Sequence, residues 1–434
     1  MKYYLQYGLM TWLLLSGIIG CKKVEFTLPP EGAKIPYVDP NYKTLEEVLK
    51  ASPYQLFLKV YQRSNMDSVL KVKSLYTLLV PTDATMQAAG YTAAKIAAMT
   101  RENADTLVAF YTLRGSLSKE QLKMSIANRE CISLLANPDP SFKVWPVRLY
   151  GLDRVYYRHY LIASEDSLLI NAVPVGALKN ALPAANGYIY PLDKLLPRPL
   201  EKSFWDALEE DPRFSMFIQV QQETDKMFNK RYRDKLIEAI DFDPGEFGWL
   251  DSKRTNYKPR FIMEPVFGGD RHLEITTMFA PTNEAFHRAG FNTVEDVMAW
   301  NEKYATPTIF DYDLYDILPF GFPADTVLAY HWDFGRDNVP ASYLYGKNYG
   351  ARPTVFYAND LRDDYLANYT VNSDPQATSY IMPFSFGRTP DGKPTVKIKG
   401  SNAAPATVIE TINTIMGPIH VVDRLLIPNN YKMK

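Results

Sequence analysis

The sequence predicts an α+β protein made of one structural unit written twice. Three observations predict it. A strand–turn–helix segment recurs at a fixed offset, its flanking elements recur in the same order, and within each copy the apolar residues switch between helical and strand spacing. The central segment is Leu79-Val80-Pro81-Thr82-Asp83-Ala84-Thr85-Met86 through Gly90-Tyr91. It is matched by Phe279-Ala280-Pro281-Thr282-Asn283-Glu284-Ala285-Phe286 through Gly290-Phe291, an offset of 200 residues from Pro81 to Pro281. Upstream, residues 44–61 match 203–220; midway, 106–111 match 326–331; at the end, 187–196 match 417–426. Four matched segments in one order exclude chance.

The elements follow in order. Leu45, Val48 and Leu49 lie at helical spacing, Pro53 marks a break, and Leu56, Phe57 and Val60 resume the helical pattern. Phe204, Ala207 and Leu208, then Pro212, then Phe214, Phe217 and Val220 repeat it. Tyr76 to Val80 reads as a strand, stopped by a Pro that cannot extend a ladder. Thr82 or Asp83 then offers a side-chain oxygen to the orphan N–H groups of a short helix, as Thr282 or Asn283 does in the second copy. That helix ends at Gly90 or Gly290, suited to a left-handed cap. Ile419-His420-Val421-Val422 reads as a closing strand.

The order strand, Ala-Pro-Thr-Asn-Glu-Ala-Phe (280–286), helix, Tyr330-His331 at a helix end, and Gly417-Pro418-Ile419-His420 followed by Asp423 and Leu426 resembles the fasciclin domain. The first copy departs from the signature: Val80 stands for Ala, Thr85 for Ala, Met86 for Phe and Phe110-Tyr111 for Tyr-His. It is read as a diverged copy over 44–199, with the second over 200–428 and a short tail at 429–434. The resemblance implies two tandem domains, each a twisted, wedge-like β-sandwich with helices at one edge. It also implies a binding role for Tyr330 and His331, since animal members use a Tyr-His pair in adhesion. The apolar pattern of 326–330 argues instead for packing.

The start of the chain reads as an address. Lys2 precedes an apolar stretch from Leu9 to Ile19, long enough for a signal peptide and short of the ~20 residues that span a bilayer. Gly20-Cys21 directly after it resembles a lipoprotein signal. That implies a signal peptide over 1–20, lipidation at Cys21, a membrane anchor there, and a Pro-rich tether over 21–43. An outer-membrane location is expected. Display on the outward face would be marked by acidic residues just after the anchor, and the first two acidic residues after Cys21 are Glu25 and Glu31. The one further cysteine is Cys131, so with Cys21 lipidated no intrachain disulfide forms.

Composition excludes several functions. The 434 residues carry 48 basic and 49 acidic groups, a net charge of −1, which leaves no footprint for nucleic acid. The five histidines, His159, His272, His287, His331 and His420, include no pair at helical metal spacing. No zinc-protease, nucleophile-elbow, P-loop or dinucleotide motif occurs. No catalytic residue, cofactor or metal is expected, and the chain is read as a binding protein and not an enzyme. His331 and His420 are read as structural, and Cys131 as a small buried hydrophobe. The second copy is longer: Pro212 to Pro281 spans 69 residues against 28 from Pro53 to Pro81. Its extra stretches, 228–261, 304–322 and 342–380, are rich in aromatic residues and are the expected recognition surface. Tandem fasciclin-like domains on a lipid anchor imply, by analogy of context, an accessory of a SusC/SusD-like glycan uptake system, with transporter proteins or glycans as partners. The alternatives are cell or matrix adhesion and a structural part of an envelope assembly.

Overall fold

The computed structural model describes residues 43–66, 74–144, 153–247, 262–263, 271–273, 275–332, 334–335, 354–372, 380–429, 431 and 433. The signal peptide, Cys21, the tether up to residue 42, residues 248–261 and about half of the 342–380 stretch lie outside the described residues. From Thr44 onward the chain forms one compact α+β unit.

Each copy is closed by its own two ends. In the first, the strand Tyr76–Pro81 pairs in parallel with Gly187–Leu192, Tyr76 opposite Gly187 and Pro81 opposite Leu192. In the second, Met278–Pro281 pairs in parallel with Gly417–Val422, Met278 opposite Ile419 and Pro281 opposite Val422. Both repeat prolines therefore meet the equivalent residue of the closing strand, and the register is the same in both copies. A glycine opens each closing strand because the chain passes too near its partner for a side chain. A Cβ on Gly187, at φ +152°, would stand 1.8 Å from the Tyr76 carbonyl oxygen, and one on Gly417, at φ +125°, would stand 2.1 Å from that of Thr276.

The first copy spreads from this pair into an eight-stranded sheet that ends at Leu182–Ala184 on one side and Val173–Ala177 on the other. The sheet curls over. Asp193, just past the closing strand, donates its N–H to the Val175 carbonyl at the far edge, at 2.7 Å. The second copy has a five-stranded sheet running from Met278–Pro281 through Gly417–Val422, Ala406–Thr414 and Pro394–Ile398 to Phe384–Arg388.

The Pro-Thr-Asp/Asn motif caps two helices at once. Thr82 accepts from the Thr85 N–H and starts the helix Asp83–Ala88; Thr282 accepts from Ala285 and starts Asn283–Arg288. The next residue reaches away. Asp83 Oδ1 accepts from the Leu56 N–H at 2.9 Å, at the start of the helix Gln55–Arg63. Asn283 Oδ1 accepts from Met216 at 3.0 Å, at the start of the helix Ser215–Ile240. Neither helix has a side-chain cap of its own at its first position. The motif thus ties the second helix of each copy to the opening strand.

Much of the extra length of the second copy is helix. Ser215–Ile240 runs 26 residues where Gln55–Arg63 runs nine. The stretch from 228 to 240, expected as part of a loop enlargement, continues the helix because Phe228, Tyr232 and Leu236 keep four-residue spacing against an apolar partner. It ends at Asp241, in the left-handed region at φ +54°.

The two copies are welded. Buried side chains from both, including Phe57, Phe110, Trp205, Phe217 and Met278, join one hydrophobic cluster. Phe142–Val144 of the first copy pairs in parallel with Arg271–Leu273 of the second. Asn128 donates through its backbone and side chain to the buried Asp360 carboxylate, at 3.1 and 2.6 Å, and exchanges amide hydrogen bonds with Asn359.

Gly417→Ala forces Cβ against the Thr276 carbonyl, and the register of the closing strand cannot absorb the shift. It is expected to lower stability by ~3 kcal/mol, more than the usual single substitution. The thermal midpoint measures it, and Gly392→Ala, in a turn with open space at φ +84°, is the control for φ alone.

Candidate functional site

The sequence singled out Tyr330 and His331. The structure places His331 in the interior. Its Nδ1–H donates to the Phe279 carbonyl at 2.8 Å, and its Nε2 accepts from the Leu426 N–H at 2.9 Å. Both ring nitrogens are used, and at 1% exposure none of the ring is open to a ligand. The Tyr330 ring is half-buried and packs over Gly335, where a Cβ would fall 2.2 Å from it. His420 is equally interior, with Nε2–H donating to the Phe356 carbonyl at 2.8 Å and Nδ1 accepting from the Thr411 hydroxyl at 2.9 Å.

The first copy makes one bond of each histidine with another side chain. Tyr111 stands where His331 does, and its hydroxyl accepts from the Leu196 N–H at 2.9 Å. Tyr190 stands where His420 does and donates to the Leu117 carbonyl at 2.8 Å. Tyr111 and His331 therefore fix the chain just past the closing strand, each in its own copy. His159, buried in the first copy, donates from Nε2 to the Phe110 carbonyl at 3.0 Å, with its ring edge-on to Phe110. Its Nδ1 has no partner among the described residues.

Cys131 is half-buried rather than buried, since its strand, Arg129–Ala136, leaves one face partly open. Burial pushes its thiol up to about 12, which removes the thiolate a nucleophile needs. Among the described residues no group of three or more His, Cys, Asp or Glu is placed to hold a metal ion, and no helix is long and apolar enough to cross a membrane.

What the second copy does expose is a hairpin within 304–322. Phe310–Asp311 pairs with Asp316–Ile317. The hairpin packs on the end of the long helix: Phe320 stacks on Phe228 with ring centres 4.3 Å apart, and Tyr232 donates its hydroxyl to Asp316 at 3.0 Å. Asp311 Oδ1 accepts the N–H groups of Asp313 and Leu314 at 2.8 and 3.0 Å, an Asx turn that holds the tip. Tyr315, at φ +52°, closes it. The tip carries Tyr312, Leu314 and Tyr315, exposed by 69%, 71% and 67%. Both tyrosine rings meet the buried Phe310 edge-on, at 4.9 and 5.7 Å, so they are held out from the surface with little freedom to lose. Tyr304 and Ile309 extend the apolar surface, and Asp311, Asp313 and Asp316 edge it with charge. The aromatic content of 304–322 was the sequence signal for this feature; its Asx turn was not read there.

Burial holds His159, His331 and His420 each at about 4, since a charged ring would lose its water. The unfolded chain takes up these protons near 6.5 and the folded one only near 4. Stability is therefore complete above ~pH 6.5 and falls as pH drops through 6.5 to 4, by as much as ~3 kcal/mol per histidine. Thermal midpoints at pH 7, 6 and 5 are expected to fall steadily; a flat profile over that range would mean that the rings are already charged or accessible.

The family model for the fasciclin domain matches residues 52–198. The match covers most of the first copy, the one whose signature departs more. A solved structure of a FAS1 domain pair from the insect cell adhesion molecule fasciclin I is similar at 12% identity and a TM-score of 0.27, covering 87% of this chain and 98% of that one. A search of curated proteins returns no match. Residues 52–198 thus match a fasciclin domain, and the second copy repeats the strand pairing, caps and closing bonds of that stretch in the same register.

Proposed function

We propose that this chain is a lipid-anchored binding module of an outer membrane that serves as the accessory of a glycan uptake transporter. Fasciclin domains are in general adhesion or binding modules without enzymatic activity. The observation that carries the reading is the hairpin tip. Tyr312, Leu314 and Tyr315 stand exposed on a braced turn, in the pattern of aromatic anchors that fill a pocket on a protein partner while a charged rim excludes wrong ones. The long helix supports the hairpin from below, which limits the ordering cost of docking. Cell or matrix adhesion, the second reading, would use the same tip against an external protein.

Two experiments test the proposal. In native membranes solubilised in detergent, the tagged protein is expected to recover a transporter barrel in stoichiometric amount. The triple variant Tyr312→Ala, Leu314→Ala, Tyr315→Ala is expected to recover it at less than a tenth of that level, with an unchanged thermal midpoint. Recovery of the wild-type protein alone would leave adhesion as the reading. For the anchor, Cys21→Ser is expected to abolish incorporation of labelled palmitate and move the protein out of the membrane fraction, whereas continued membrane sedimentation would remove the lipoprotein reading.

A further inference from the structure

The first copy has a cleft that the partner surface does not use. It is about 640 Å³, within the ~300–1,000 Å³ of small-molecule sites, and lies between the helices Ala93–Ala98 and Arg101–Tyr111 and the end of the strand Arg129–Ala136. Its walls alternate. Met99, Leu107 and Leu135 supply apolar surface; Tyr91, Asn103 and Thr106 bring hydroxyl and amide groups.

Two cations line it, Lys95 and Arg198, and none of the lining residues is acidic. Neither cation has a carboxylate partner among the described residues. The Lys95 ammonium lies 5.6 Å from the Tyr91 ring centre, and the Arg198 guanidinium lies 5.9 Å from that of Phe110. Aromatic faces thus hold the two groups in place, and no hydrogen bond to a described residue takes up their donors. The nearby carboxylate of Glu201 is engaged by the Tyr157 hydroxyl. Two cations in one cleft whose lining holds no acidic residue, neither of them paired with a carboxylate among the described residues, suit an anion.

We propose that this cleft binds a carboxylate-bearing saccharide. Lys95 and Arg198 take the carboxylate, Arg198 through its planar fork. Tyr91, Asn103 and Thr106 meet the ring hydroxyls, and the apolar wall takes the C–H faces of the sugar. The first copy then carries a ligand site of its own, whatever partner the second copy docks.

The test is calorimetric titration of the full chain in detergent with trisaccharides of galacturonate, glucuronate and mannuronate, beside the neutral galactose and glucose trimers and an acidic tripeptide. At least one uronate is expected to bind ten times more tightly than its neutral counterpart and than the peptide, and less tightly as salt is raised. The double variant Lys95→Gln, Arg198→Gln, at two exposed positions, is expected to weaken that binding at least tenfold with an unchanged thermal midpoint. Any of four results overturns the proposal: no uronate binding at millimolar concentration, equal affinity for a neutral sugar, equal affinity for the peptide, or full affinity in the double variant. The transporter pull-down is a separate readout, so failure of one leaves the other standing.

Discussion

The parallel pair between the first and last strands of each copy is the constraint on which the rest depends. Parallel neighbours cannot be joined by a tight turn, so everything between them must form the crossover. In both copies that crossover holds the threonine-capped helix and the antiparallel strands. The pair fixes the register of the closing strand, and the register decides which residues past it reach the core. Leu196 and Leu426 present their N–H groups to Tyr111 and His331 only because Pro81 and Pro281 sit opposite Leu192 and Val422. The glycine at the start of each closing strand lets the two backbones approach closely enough for this.

The bonds are shared between the copies more strictly than the residues that make them. A tyrosine hydroxyl and an imidazole nitrogen both reach the same backbone N–H, and both satisfy a buried polar group that would otherwise cost ~1–3 kcal/mol. Substituting Phe110-Tyr111 for Tyr330-His331 therefore alters the signature and leaves the bond in place. The exchange has a chemical effect of its own. The second copy places two neutral imidazoles where the first has two phenols, so acid strains the second copy at positions where the first has nothing to protonate. Motifs record residue types, and here the fold selects for a hydrogen bond.

The features legible in the sequence are those with a local period or a local partner. The repeat, the strand stopped at Pro81, the Thr82 cap and the closing strand all follow from spacing and short-range chemistry. The second role of Asp83 and Asn283 was hidden because the groups they cap, Leu56 and Met216, lie far along the chain. The helix through Ile240 was hidden because charged residues between Phe228 and Leu236 dilute its apolar stripe. The cleft was out of reach for the same reason: Lys95 and Arg198 are neighbours only after the closing strand has been laid beside the opening one. The exposed hairpin lies between these cases. Its aromatic content is plain in residues 304–322, and its direction is decided by the helix beneath it.

The parallel closure also sets when each copy can fold. Tyr76 waits for Gly187, 111 residues further on, and Met278 waits for Ile419. Until the last strand arrives the opening strand has an unpaired parallel edge, and contacts of such long separation are slow to form. A chain made from its amino end therefore holds each copy incomplete until nearly the whole of it is available. Each copy is thus completed by its last strand, and a chain cut short before Gly187 or Gly417 leaves the opening strand of that copy without its parallel partner.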